Sequence, residues 1–180
     1  DVIVVVGGGV VGLLIGWLCR QVPATRVTVV DVDPGRAPAA RELGLAFQHG
    51  LTVQEEADLV FHASGQPEGL ASALACAGTE ATVVELSWFG TRPVTLALGE
   101  GFHSRRLTVR SSQVGRVPPV RAPRWSRARR MELALDLLRD QALDTLITGE
   151  SDFEALPELL ARLSRDAGGT LCHRIRYPKF

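Results

Sequence analysis

Gly7-Gly8-Gly9-Val10-Val11-Gly12 is the stretch of this sequence whose residue types and spacing point most directly to a chemistry. It follows five β-branched residues, Val2-Ile3-Val4-Val5-Val6, and leads into the apolar run 11–18. A strand, a glycine turn and a helix in that order leave backbone N–H groups without internal partners, and the helix dipole adds partial positive charge there. Such a corner suits an anion, and a diphosphate above all. Gly7 permits the tight turn, Gly9 lets a diphosphate reach the amides of Val10 and Val11, and Gly12 lets the helix lie close on the strand. Alone, G-x-G-x-x-G is a weak pattern, because a turn kept only for packing can carry it.

Context strengthens it. Nineteen positions beyond Gly12, at the tip of a second apolar run 27–30, stands Asp31, with Val32 beside it. A carboxylate there accepts hydrogen bonds from the ribose hydroxyls of an adenosine and opposes a 2′-phosphate as a like charge. The expected ligand is therefore NAD, with NADP disfavoured. Arg36 leaves two readings open: it flanks the ribose or an extra phosphate, or it is a solvated residue of a helix face.

The elements that must position these groups follow from alternation. Runs 2–6, 27–30, 45–47, 58–63, 81–86 and 107–111 read as strands, separated by helical segments at 11–18, 34–43 and 69–77, the last stopped by Gly78. Strands alternating with helices imply right-handed crossovers, hence an α/β fold: a three-layer, doubly wound parallel sheet of about six strands, the Rossmann fold, with a C-terminal helical extension. Residues 1–140 form the nucleotide-binding domain and 141–180 the C-terminal segment. In such a sheet the ligand crosses the carboxyl ends of the strands. That adds Ala63 and Ser64 with Gly65, Leu86 and Ser87 with Trp88, and Ser111 with Ser112 to the cofactor-binding set. Trp88 either covers a nicotinamide ring or is a core or interface residue.

Past Ser112 the character changes. Residues 113–124 are rich in Pro and Arg and read as a loop. Residues 127–139 form an amphipathic helix with Met131, Ala134, Leu135 and Leu138 on one stripe. A final helix carries Phe153, Leu156, Leu160 and Leu163, with Pro157 in its first turn, and 170–177 reads as a last strand.

The 20 basic and 20 acidic side chains balance, so global charge points to neither nucleic acid nor membrane. The balance hides nine arginines and no acid between Phe102 and Arg130. This stretch reads as a solvated surface, as an attractor for an acidic substrate, or as a nucleic-acid site, the last poorly supplied with aromatics. Cys19, Cys76 and Cys172 are too scattered for a disulfide framework or zinc knot and fit the cytoplasm. His49, His62, His103 and His173 show no ligand spacing with them and read as surface or structural residues. Neither a catalytic residue nor a metal ligand is assigned. The apolar run at Asp1 suggests a piece of a longer chain.

The segments GGGVVG, VTVVDVDPGR, RELG, ADLVFHASG, ATVVELSWFG, PVTLALG, FHSRRLTVRSS and LDTLITGESDFEALPELLARL, in this order and spacing, resemble the cofactor half of the medium-chain, zinc-type alcohol dehydrogenases. The resemblance runs over nearly the whole chain. It implies hydride transfer between nicotinamide C4 and an alcohol or carbonyl substrate. Zinc would be held by a separate N-terminal domain, for which this chain has no counterpart, so the chain alone is expected to be inactive. It also implies dimerisation through the strand Leu107 to Ser111, and a segment after Gln141 that packs on the catalytic domain. One departure is Gly149, where the family commonly has histidine. Rival readings are a FAD-binding half, an S-adenosylmethionine site, and a non-catalytic nucleotide-sensing domain. The first lacks Glu at the second strand tip, the second does not need Gly12, and the third leaves LDTLITGE unexplained.

Overall fold

β-Branched residues crowd helices but pack well on a pleated surface, and an uninterrupted run of them suits a strand covered on both faces. Val2–Val6 is that strand, β1, buried from Ile3 onward. The structure, a computed structural model, describes residues 1–178. In chain order β1 is followed by α1 (Val10–Arg20), β2 (Arg26–Asp31), a 3-10 turn (Pro34–Arg36) running into α2 (Ala37–Glu42), β3 (Ala46–His49), β4 (Ala57–His62), α3 (Pro67–Cys76), β5 (Ala77–Glu85) and β6 (Thr108–Ser111). The sheet order is β3-β2-β1-β4-β5-β6, all parallel. This is the expected doubly wound Rossmann sheet, and its order reverses between β1 and β4, where a crevice opens at the strand ends.

Two apolar layers hold it together. On one face Val4, Val6, Val60 and Val83 pack against Leu70, Ala73 and Leu74 of α3. On the other, Ile3, Val5 and Val29 pack against Leu13 and Trp17 of α1, Ala40 of α2 and Leu43 just after it.

Three details differ from the sequence reading. The helix α3 ends at Cys76, and Gly78 lies inside β5 instead of stopping the helix. Ala77 pairs with Ala57, the register then shifts, and pairing resumes at Leu59 and Thr82; Glu80, at φ +64°, accommodates the irregularity. Secondly, α4 (Arg127–Leu137) forms, yet it buries no residue completely, and Met131, Leu135 and Leu138 of its expected stripe are exposed. Thirdly, the C-terminal segment is more than helical. A 3-10 stretch (Gln141–Leu146) leads to β7 (Ile147–Asp152), α5 (Leu156–Arg165) and β8 (Cys172–Arg176), with β7 and β8 paired in parallel as a small second sheet. Leu143 and Leu146 are buried in the α1/α2 core layer, so the segment docks on the Rossmann core at its first turns.

Gly12 shows how tightly the glycine turn is built: a Cβ there would fall 1.8 Å from the Gly7 carbonyl oxygen, whereas one on Gly9 would meet nothing within 4 Å. Gly12→Ala is expected to destabilise the chain by about 3 kcal/mol, through forced backbone movement. Gly9→Ala should stay within about 0.5 kcal/mol of the parent. Urea denaturation of both variants checks the contrast, and equal losses would contradict it.

Candidate nucleotide-binding site and strand-tip network

Parallel register brings five strand ends to one edge. Val6 lies opposite Val30 and His62, His62 opposite Glu85, and Glu85 opposite Ser111. Gly7 follows β1 at φ +112°, its N–H bonded to the Val30 carbonyl at 2.8 Å, and a Cβ there would lie 2.7 Å from the Ser64 nitrogen. Only glycine fits that approach, so the glycine turn and the loop after β4 touch.

Gly9 caps α1 without a side-chain hydrogen bond, and the first-turn amides of Val10 and Val11 have no intrahelical acceptors. Val11 is exposed and the space over Gly9 is open. The corner therefore has the donors and the room an anion needs.

The Asp31 carboxylate is aimed at this corner. One oxygen accepts the Gly8 N–H at 2.6 Å and the other the Asp33 N–H at 2.8 Å. Each oxygen keeps further lone-pair capacity for a sugar hydroxyl. Val32, beyond it, is exposed, and its carbonyl meets His49 Nε2 at 3.0 Å. Arg36 is neither free nor solvated. Its side chain is 16% exposed, with Nε 3.2 Å from the Asp33 carboxylate and Nη1 donating to the carbonyls of Thr170 (3.3 Å) and Gly169 (3.4 Å). It ties the turn after β2 to the C-terminal segment.

The later strand ends are joined by a network that the sequence reading did not anticipate. His62, the last residue of β4, is fully buried. Its Nδ1 lies 2.7 Å from Glu85 Oε2, and its Nε2 lies 2.6 Å from Ser64 Oγ. The other Glu85 oxygen accepts the Ser87 N–H at 2.6 Å, and Ser87 Oγ accepts the Gly65 N–H at 3.0 Å. Ala63 and Leu86 extend the pairing through their N–H groups, to the carbonyls of Val6 and His62. Ser64, Leu86 and Ser87 are thus brought together, whereas Ser111 is exposed one strand further out. Trp88 is 88% exposed, so it is not a core residue. Burial works to raise the Glu85 pKa, but hydrogen bonds from His62 and from the Ser87 N–H outweigh it and hold the carboxyl below its usual value. The signal in the sequence was a polar residue at the tip of each of two apolar strands, LVFH and TVVE.

The remaining histidines do other work. His49 and His103 are exposed. His173 Nε2 lies 3.0 Å from Ser151 Oγ, and a Cβ on Gly149 would fall 2.5 Å from His173 Nδ1. Gly149 is therefore the residue that makes room for the His173 ring. Among the described residues no group of three or more His, Cys, Asp or Glu side chains could hold a metal ion. All three cysteines are unpaired, and burial pushes the Cys76 thiol up to about 11. Three arginines of the stretch brace the loop before α4: Arg127 and Arg130 donate to the carbonyls of Gly115 and Val114, and Arg129 stacks on Trp125 at 4.3 Å.

Several solved structures that share this fold are dehydrogenases. An alcohol dehydrogenase zinc-binding domain protein from Burkholderia ambifaria superposes with a TM-score of 0.77 at 19% identity, covering 99% of this chain and 49% of its own. A short chain alcohol dehydrogenase from Escherichia coli, solved with cofactor NADH, gives 0.71 at 21% identity, with 96% and 50% covered. In sequence, L-arabinitol 4-dehydrogenase of Talaromyces emersonii is 29% identical over 115 residues, 56% of this chain and 30% of that protein. The chain resembles zinc-type medium-chain dehydrogenases. No protein-family model matches it. It spans about half the length of these solved structures and under a third of the curated relative.

A carboxyl held below its usual pKa stabilises the fold above its unfolded value, near 4.3, and loses that contribution as pH falls through the lower folded value. Glu85→Gln is therefore expected to cost about 2 kcal/mol at pH 7, with the gap to the parent narrowing below pH ~4. Denaturation midpoints at pH 7 and pH 3.5 test this, and a gap of equal size at both would contradict an ionised Glu85.

Proposed function

We propose that this chain is the NAD-binding part of a zinc-type medium-chain dehydrogenase, which moves a hydride between nicotinamide and an alcohol or carbonyl substrate. The observation that carries the reading is the Asp31 carboxylate bonded to the Gly8 N–H, beside free first-turn amides and an open space over Gly9. Gly7, Gly9, Val10, Val11 and Gly12 would hold the diphosphate on backbone N–H groups, and Asp31 and Val32 the adenosine side. Ala63, Ser64, Leu86, Ser87 and Ser111 would border the nicotinamide end. When bound, the nicotinamide supplies a hydride acceptor or donor at its C4. The residues of this chain bind, orient and shield it.

NAD is favoured over NADP because the carboxylate opposes a second phosphate and Arg36, the nearby cation, is already engaged by Asp33 and two carbonyls. Zinc does not fit the residues described here, and no step is assigned to it. A division at 140/141, with the later segment meeting a catalytic domain, is consistent with the exposed stripe of α4. The exposed edge strand β6 supports pairing with a second copy. Unpaired cysteines accord with a cytoplasmic location. No helix among the described residues is long and apolar enough to cross a membrane.

Calorimetric titration tests the reading. NAD is expected to bind at least about tenfold more tightly than NADP, FAD or S-adenosylmethionine, a difference of about 1.4 kcal/mol. Asp31→Ser should bring NADP level with NAD, and Gly9→Ala should weaken NAD binding without loss of fold. If NAD binds no better than the other three, the reading fails.

A further inference from the structure

Outside the glycine corner, the polar cluster built around a fully buried histidine is the row Ser64–His62–Glu85. We propose that Ser64 is an activated nucleophile, with His62 as its base and Glu85 as the group that orients the base, and that it accepts acyl groups from activated esters.

A carboxylate faces Nδ1 at 2.7 Å, so the ring proton lies there and Nε2 is left as an acceptor. The atom facing Nε2, at 2.6 Å, is the Ser64 hydroxyl. The oxygen of Ser64 already receives the Gln66 N–H at 3.2 Å, while the competing acceptor for its proton, the Gln66 carbonyl, is distant at 3.5 Å. The hydroxyl proton therefore points at His62. Carboxylate, imidazole and hydroxyl in this sequence are the arrangement that raises the nucleophilicity of a serine. Burial adds to it: His62 is shut off from water, Phe89 stacks near its ring at 6.1 Å, and Ser64 is only half-buried at the cleft edge.

Gly69, in the first turn of α3, faces the same contact: a Cβ there would fall 2.2 Å from Ser64 Oγ and 2.8 Å from His62 Nε2. The backbone of α3 approaches this pair so closely that only a residue without a side chain leaves the hydrogen bond intact. A latch joining β4 to β5 needs only the His62–Glu85 and Ser87 bonds. The Ser64–His62 bond, and the bare α3 backbone that accommodates it, go beyond what that latch requires.

With p-nitrophenyl acetate, the Ser64 oxygen forms a bond to the acetyl carbon as its proton passes to His62 Nε2. The nitrophenolate departs with the bonding electrons, and His62 then returns its proton to solvent, leaving an acetylated serine. The test is incubation of the 180-residue chain with this ester, followed by intact mass and peptide mapping. A single acetyl group on the peptide carrying Ser64, absent in Ser64→Ala, is expected. His62→Gln and Gly69→Ala should each slow acetylation by about a hundredfold, the usual contribution of a positioned base. No adduct on the parent chain, an adduct at another residue, or an unchanged rate in His62→Gln would each overturn the proposal. Nucleotide is absent from the assay, so its outcome is separate from that of the NAD reading.

Discussion

Everything at the ligand edge depends on a backbone corner from which side chains have been removed. A diphosphate can be gripped by amides only if no Cβ stands in front of them and the helix that presents them lies hard against its strand. Gly9 clears the front and Gly12 permits the contact behind, where the Gly7 carbonyl leaves no room for a methyl group. Asp31 then fixes the turn from the side by taking the Gly8 N–H. The same carboxylate that would read a sugar also sets the shape of the turn beside it, which couples recognition to local order.

The crevice is widened by the sheet order, because β1 is flanked by β2 on one side and β4 on the other and their connecting helices run to opposite faces. A polar network closes the far side of that crevice. Burying a histidine beside a carboxylate costs solvation, and the cost is offset only where every polar atom finds a partner. Here it is met: among the described residues no buried side-chain nitrogen or oxygen lacks one. The loops after β4 and β5 are consequently tied to each other through Ser64, Ser87 and Gly65, and a ligand would meet them as one rigid lip.

Charge is handled differently on the two sides of the molecule. In the small sheet, Arg174 and Arg176 pair with Glu150 and Asp152 across adjacent strands. At the start of α4, Arg127 and Arg130 donate instead to backbone carbonyls of the preceding loop, which a Pro-rich segment without regular structure leaves unpaired. Three of the nine arginines, Arg127, Arg129 and Arg130, thus scaffold the loop before α4, and α4 keeps an apolar stripe uncovered.

Much of this could be read from the sequence. Period and punctuation alone located seven of the eight strands, the glycine turn, and Asp31 at the tip of β2, because these depend on local sterics and on which residues tolerate them. The apparent helix stop at Gly78 was misleading, since a glycine ends a helix or bends a strand with equal ease and pairing with Ala57 decided between them. His62 and Glu85 lie 23 positions apart, and each alone looks like an ordinary strand-end residue. Only parallel register sets them opposite one another, and only burial turns their proximity into a defined proton arrangement. Arg36 likewise acquired its role from Gly169 and Thr170, more than 130 positions away. What local conformation dictates is written along the chain; what depends on which strand lies next to which exists only once the sheet has formed.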